Sequence, residues 1–403
     1  MQARIKKTTK IDEARIDWGI IFVVMMLAII GLISIYVAAS HDPNVRNVMA
    51  MIKPQAIWYF IGVVIVVVIM QFDAEQLWKI APVAYGLGVL LLFAVLFLYS
   101  RAYEAKTGAK SWFALGPLTF QPSEVMKPAF ILMMARVITL YNSKHPDRDI
   151  KSDFKLFGIM VLWLLPVIIL LKAQNDFGTM LVFIAIFGGM LIVSGISWRI
   201  LGPMIGSFAV VGGTVLTFVT TDWGRQVLYH VGFQQYQFQR VDVWLNPSGD
   251  TSNAGYQLWQ SMKAIGSGQI TGNGFNIMHV HVPVQESDMI FSVIGSNFGF
   301  IGGLMLILLY FLLIYQMIRV TFDTRNEFYA NIATGVVMMI LFHVFENVGM
   351  SIGLLPLTGI PLPFISQGGS ALLGNLIGVG LIMSMRYHYK SYMFANRSSF
   401  SNK

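Results

Sequence analysis

The chain contains no cysteine, which excludes disulfide staples across external loops and any thiolate chemistry. Charge is scarce as well: Asp, Glu, Lys and Arg make up 12% of the 403 residues, about half the share of an average soluble domain. The sequence has no repeat of roughly 20 to 50 residues and no low-complexity tract. It also lacks a phosphate-cradling glycine loop, a Ser-His-Asp arrangement and zinc-ligand spacing. These absences exclude nucleotide hydrolysis by a P-loop, triad hydrolysis and a zinc centre.

What the chain has is apolar residues, 56% of the total, gathered into blocks. Residues Trp18 to Ser40 carry no charge, and at about 1.5 Å per residue they span a hydrocarbon core of roughly 30 Å. Further spans follow at once, unlike the short apolar stretch and small-residue site of a cleavable signal. Charge-free runs predict about ten transmembrane helices, near 18–40, 54–72, 80–100, 118–136, 155–171, 177–198, 200–221, 289–318, 329–352 and 369–386. The expected fold is therefore an all-α polytopic membrane protein, one transmembrane domain over 1–403. Two segments stand outside the spans, 101–121 and the large loop 222–288 between spans seven and eight.

Most of the 28 Lys and Arg residues fall on one side of this topology, among them Arg4 to Arg15, Lys144, Arg148, Lys151, Lys155, Arg199, Arg319, Arg325 and Arg386. The positive-inside rule makes that side, with both termini, cytoplasmic. The formal charge of +8 then reflects anchoring to anionic lipid. No basic groove interleaved with aromatics supports a nucleic-acid partner.

Four clusters of polar residues lie at the external ends of spans, where ionisable groups are costly. The first runs from Gly108-Ala109-Lys110-Ser111-Trp112 through Gly116 to Gln121-Pro122-Ser123-Glu124 and Lys127. Glu124 and Lys127 share a helical face three residues apart, as a self-neutralising pair or as a lysine aimed at phosphate. The second is Gln174-Asn175-Asp176-Phe177-Gly178-Thr179, where Asp176 reads first as a helix cap. The third is Pro283-Val284-Gln285-Glu286-Ser287-Asp288. Ser287 or Asp288 caps the next helix, or Asp288 is a part-buried carboxylate suited to general-base work. His279 and His281 nearby resemble a metal pair but lack a third placed ligand. The fourth joins Asn347-Val348-Gly349-Met350 to Gly353, Pro356 and Gly359-Ile360-Pro361-Leu362-Pro363-Phe364-Ile365-Ser366-Gln367-Gly368-Gly369-Ser370. Its prolines and glycines forbid a continuous helix, and irregular backbone at membrane depth survives only when protein buries it or it lines a wet cavity.

Taken together and in order, these elements resemble the SEDS family of bacterial shape, elongation, division and sporulation proteins. The resemblance rests on G-A-x-x-W with Q-P-S-E-x-x-K over Gly108 to Lys127, Q-x-D-F-G-T over Gln174 to Thr179, and P-L-P-F-I-S-x-G-G-S over Pro361 to Ser370. In the large loop it adds Gln239-Arg240, Gly255-Tyr256-Gln257, Lys263 to Gly268, Gly272 and Gly274. The I-G-S-G run at Ile265 to Gly268 and the P-V-x-E-S-D run at Pro283 to Asp288 look more like the RodA branch than the FtsW branch. The resemblance implies a peptidoglycan glycosyltransferase that polymerises lipid II for elongation and shape, paired with a class B penicillin-binding protein, in the bacterial cytoplasmic membrane. It implies Asp288 as the catalytic carboxylate. It implies substrate contacts at Trp112, Gln121, Ser123, Glu124, Lys127, Asp176, Arg240, Lys263, Ser366 and Gly368. Lys127, Arg240 and Lys263 would face the departing pyrophosphate, with or without a magnesium or manganese ion.

Two departures stand out. Glu286 takes the place of a family histidine, and Ser296-Asn297 takes the place of an acidic pair. A lipid-linked precursor flippase and an inactive scaffold that recruits a transpeptidase are the alternative readings. For a single-span partner, Gly302, Gly303 and Gly349 are expected to permit close helix approach.

Overall fold

The computed structural model describes residues 16–115, 118–230, 235–249, 254–324 and 326–398. The basic residues Arg4 to Arg15, Gly116 and Arg325 lie outside them. In chain order the helices are α1 (Trp18–Ser40), α2 (Met49–Ile69), α3 (Ala74–Leu98) and the short α4 (Arg101–Thr107). A hairpin of β1 (Phe113–Leu115) and β2 (Leu118–Phe120) leads into α5 (Pro122–Lys144), α6 (Ile150–Ala173), α7 (Phe177–Val193) and α8 (Trp198–Thr220). The large loop holds α9 (Asp222–His230), α10 (Gln235–Leu245) and α11 (Ala254–Ser267). Helices α12 (Ile290–Thr324), α13 (Glu327–Ser351) and α14 (Gly369–Ser398) complete the described chain.

A helix stands at each of the ten expected span positions. Eight of them are long and apolar enough to cross a membrane. Of the other two, α7 is apolar but has 17 residues, and α5 carries Glu124 and Lys127. The expected span at 118–136 begins too early: residues 118–120 pair with β1, Phe113 opposite Phe120, and the helix starts at Pro122, whose missing N–H costs nothing at a first helical position.

Short polar side chains start these helices. Asp17 accepts from Gly19 and Ile20, Asp149 from Ser152, and Asn326 from Phe328 and Tyr329. Asp73 and Gln76 form a reciprocal capping box at α3. Pro54, Pro82, Pro128, Pro166 and Pro203 lie inside helices, as membrane helices tolerate when neighbours take up the freed carbonyls.

Burial sorts the helices into an interior and a rim. In α14 and α13, 83% and 56% of the best spanning window is buried; in α2 and α8 the figure is 11%. Helix α5 is buried along nearly all its length. The centre is thus α5, α13 and α14, with α1, α2, α3, α6, α7 and α12 around them and α8 outermost. The outward apolar residues of the rim, such as Phe60, Phe97 and Phe208, face what would be lipid.

Candidate functional site

The loops at one end of the bundle meet one another. Gln285 donates through Nε2 to the Ala38 carbonyl (2.9 Å), the Lys110 amide donates to the Gln174 carbonyl (2.8 Å), and the Gln367 amide donates to the Glu286 carbonyl (2.9 Å). Asp288 stands in this assembly at the head of α12.

Helix α12 is two helices joined at Gly299, whose backbone (φ 62°, ψ −158°) only glycine adopts readily. The first piece is buried without interruption from Met289 to Asn297. The second turns Phe300, Met305, Leu308, Phe311 and Tyr315 outward. A break in a helix orphans carbonyls on one side and amides on the other, and here the segment after α11 supplies both sets of partners. Phe300 and Ile301 donate to the carbonyls of Gln269 and Ile270 (2.9 and 3.1 Å), while Asn273 and Gly274 donate to those of Ser296 and Asn297 (3.0 and 3.2 Å). Gly272 (φ 86°) packs so tightly against the Asn297 backbone that no Cβ fits. The pair Ser296-Asn297 belongs to this clasp: Asn273 Nδ2 donates to Ser296 Oγ (3.3 Å) and the Ile277 amide to Asn297 Oδ1 (3.3 Å).

The irregular segment between α13 and α14 closes over Asp288. Ser366 Oγ donates to the Ser287 carbonyl (2.6 Å) and accepts the Leu362 amide (2.8 Å). Gln55, buried in α2, accepts the Gly368 amide (3.2 Å) and lies 3.4 Å from the Ser366 carbonyl. Tyr59 and Tyr310 donate to the carbonyls of Phe364 and Pro363. Val284 and Phe364 both adopt positive φ (57° and 61°), a strained conformation for such side chains. Both strained residues sit in the two segments that frame Asp288.

Asp288 is partly buried, and its carboxylate lies against Gly359. Burial, and then the like charge of Glu286, pushes its pKa up to about 7, with Ser287 and Arg240 pulling the other way. Glu286 is also raised, first by burial; Asp42 adds to the shift and His281 opposes it. Among the described residues no hydrogen bond joins the Asp288 carboxylate to the first amides of α12, so the capping role is unfilled by it. Nor do three His, Asp or Glu side chains converge as a metal cage among the described residues.

The expected contact residues fall into distinct places. Gln121 donates to Asp176 Oδ2 (2.8 Å), and Asp176 Oδ1 caps α7 through the Thr179 amide (3.2 Å). The Thr358 carbonyl packs on Gly178, bringing α7 under the same loop as Asp288. Arg240 donates to the Leu357 carbonyl (3.0 Å) and Trp244 to that of Gly353 (3.1 Å), so α10 roofs that loop. Ser123 is fully buried. Trp112 stacks on Tyr103 with centroids 5.6 Å apart, and Lys263 lies over the Trp259 ring (5.8 Å) on the exposed side of α11.

Lys127 sits where the sequence alone did not place it. It is 1% exposed, with Nζ 2.8 Å from Glu124 Oε2 and 2.9 Å from His343 Nε2. His343 Nδ1 donates to the Met339 carbonyl (2.5 Å), which leaves Nε2 free to accept from the ammonium. The self-neutralising reading of this pair therefore describes its geometry, with His343 as a third member. His343 and the side-chain role of Asn347 escaped sequence reasoning, although an ionisable residue inside an apolar run is itself a signal. The glycines expected to admit a partner are already approached by this chain: Gly302 by Phe298, Gly303 by Phe291 and Gly349 by Leu355.

A family profile described as "Cell cycle protein", FtsW/RodA/SpoVE, matches residues 17–391. The peptidoglycan glycosyltransferase MrdB of Escherichia coli K12 is 33% identical over 393 residues, covering 95% of this chain and 97% of that protein. The peptidoglycan glycosyltransferase RodA of Treponema pallidum is 28% identical, covering 92% of this chain and 97% of its own. Among solved structures, a chain from a peptidoglycan synthase complex, described as coordinating polymerization and crosslinking, superposes with a TM-score of 0.73 at 27% identity, over 93% of this chain and 98% of that one. The rod shape determining protein RodA of Thermus thermophilus gives 0.65 at 25% identity, over 93% and 97%.

Proposed function

The chain belongs to the FtsW/RodA/SpoVE family of cell cycle proteins, and from that premise we propose that it is a peptidoglycan glycosyltransferase that polymerises lipid II for cell elongation and shape. The observation that carries the reading is Asp288: a carboxylate with its pKa near 7, roofed by α10 and the 352–368 segment, at the loop end of the bundle.

The chemistry follows from that geometry. The 4-hydroxyl of one sugar attacks the anomeric carbon of another chain as its bond to the lipid pyrophosphate breaks. Asp288 takes the hydroxyl proton, and a carboxylate balanced near neutral pH suits that exchange. The configuration inverts in a single displacement, and undecaprenyl pyrophosphate leaves as an anion. Arg240, which already acts on Asp288 electrostatically, is the cation best placed to meet it. Lys263, exposed on α11, is a second. A magnesium or manganese ion carried in on the pyrophosphate needs few protein ligands. Lys127 holds the α5–α13 seam through Glu124 and His343, and its burial keeps it from a phosphate in this arrangement. Trp112, Gln121, Ser123, Asp176, Ser366 and Gly368 complete the substrate-facing set we assign, with Gln121 and Asp176 acting as one bonded unit.

Both termini lie on the cytoplasmic side in this reading. The bundle end opposite Asp288 bears Lys144, Arg148, Lys151 and Lys155, and Arg148 pairs there with Asp153 at 2.9 Å. The partner is a class B penicillin-binding protein with one membrane span. An apolar groove of about 190 Å³ between α12 and α13, lined by Ile307, Phe311, Ile314, Phe345 and Val348, has room for a large apolar side chain projecting from such a helix.

Purified protein in proteoliposomes, supplied with lipid II with and without a candidate transpeptidase, tests the reading. Glycan chains from the wild type and none from Asp288→Asn support it. Lipid transfer between leaflets without polymer would establish the flippase alternative. Neither activity, with the partner bound, would establish the scaffold.

A further inference from the structure

Asn347 is completely buried in the outer part of α13. Its Nδ2 donates to the Asp288 carbonyl and to the Ile360 carbonyl, each at 2.8 Å. These carbonyls belong to the two segments that frame the carboxylate: the end of the 283–289 turn and the 352–368 loop. Ser366 and Gln367, near the far end of that loop, hold the neighbouring carbonyls of Ser287 and Glu286; among the described residues Asn347 makes the hydrogen bond to the Asp288 carbonyl itself and joins it to Ile360, next to the Gly359 on which the carboxylate rests.

The chemistry of the contact fixes the residue type. Both partners are acceptors, so only a side chain with two donors on one atom bridges them, and the amide cannot be turned over. The orientation leaves Oδ1 buried without a partner, an arrangement that costs stability. An apolar side chain of the same size would spare that oxygen but take the donor from both carbonyls, so the position is chosen for the bridge it makes and not for filling space.

We propose that Asn347 is a positioning residue for the glycosyl transfer, holding the Asp288 main chain against the 352–368 loop so that the carboxylate meets the attacking hydroxyl. This deepens the assignment of Asp288 as base and rests on it. Asn347 itself touches backbone and not substrate, so its loss acts on turnover through the placement of Asp288. A shift of about 1 Å at a reacting group is worth as much as 10²-fold in rate.

The test uses the full chain in proteoliposomes with lipid II. Asn347→Asp keeps the side-chain shape and removes the paired donors. Its expected result is kcat lowered at least about tenfold with KM for lipid II within roughly twofold, and partial recovery in Asn347→Gln, which retains the donors. Wild-type kcat per folded molecule in Asn347→Asp, whatever its melting temperature, overturns the proposal. A rise in KM with kcat intact overturns it too, because that is a binding defect. If Asn347→Asp does not accumulate as folded protein, Asn347→Gln decides alone: its amide is displaced by one methylene, and unchanged kcat there overturns the proposal. Asp288→Asn in the same assay separates the two assignments. Its retention of activity removes the base, whereas its inactivity beside a fully active Asn347→Asp removes only the positioning role.

Discussion

The two pieces of α12 are continuous in sequence and opposite in surroundings. Residues 290–298 are packed inside the protein except for Phe298, while the piece after Gly299 presents a stripe of large apolar side chains outward. Both are apolar helices, so hydropathy alone gives them the same reading. What separates them is what they pack against: the 269–274 clasp pairs with both at the break, but the first piece is enclosed and begins beside the Asp288 carboxylate, whereas the second leaves the clasp and runs out along the rim. The comparison teaches that in this bundle chemistry is attached to fully enclosed helix and kept off the lipid-facing one.

The largest expected effect lies at the head of the enclosed piece. Asp288→Asn keeps size and polarity but loses basicity, and glycan synthesis should fall by about 10² or more while expression and partner binding persist. Near-normal polymer from the purified variant would erase the distinction between the two pieces. Next comes the enclosed charge beside it. Lys127→Ala leaves Glu124 uncompensated among buried groups, which should destabilise the protein by about 3–5 kcal/mol, read as a lower melting temperature in detergent. Lys127→Arg should keep charge but disturb the His343 contact, so it should lose less stability. Should Lys127→Ala melt normally and lose only turnover, the lysine acts on phosphate after all.

The clasp is tested by Gly299→Ala. A side chain at this φ and ψ is strained and meets the backbone of Ile270 and Gly272, so a loss of about 1–3 kcal/mol is expected, with turnover falling alongside. A subtler effect concerns pH. As the proposed base Asp288 would act in its deprotonated form, so activity should rise with pH through about 7 and then level. Removing the neighbouring negative charge in Glu286→Gln should move that rise to lower pH, since the like charge is the second cause of the shift. An unmoved acid limb would detach Glu286 from the base. The smallest effect belongs to the lipid-facing piece: Met305→Ala, on the exposed stripe, should change stability by less than about 0.5 kcal/mol and leave glycan synthesis unchanged.

The places of the ten spans were readable from charge-free runs, except that the fourth begins at Pro122 and not at 118, because residues 118–120 pair with β1. Asp176 was readable as a cap, standing at the head of one of those runs. The break in α12 was not, since 289–318 is one uninterrupted apolar run and only its backbone pairing with residues 269–274 reveals it; Gly268, Gly272 and Gly274 were visible as a motif without their reason. The destination of Lys127 was equally hidden, because His343 approaches from a helix 216 residues later. The glycines at 302, 303 and 349 were legible as places of close approach, but the sequence does not say that Phe298, Phe291 and Leu355 of this chain also stand against them.

The break in helix α12 also has a consequence for how the protein meets bilayers of different thickness. Its 35 residues would extend about 52 Å as one rod, far beyond a hydrocarbon core of roughly 30 Å. The piece beyond Gly299 is long enough to cross by itself. A thinner or thicker bilayer can then be met by tilting that outer piece, while the clasp keeps Asp288 at a fixed height relative to the interior helices. The enzyme carries its own ruler, and changing the acyl-chain length of the surrounding lipid should leave the polymerisation rate nearly constant.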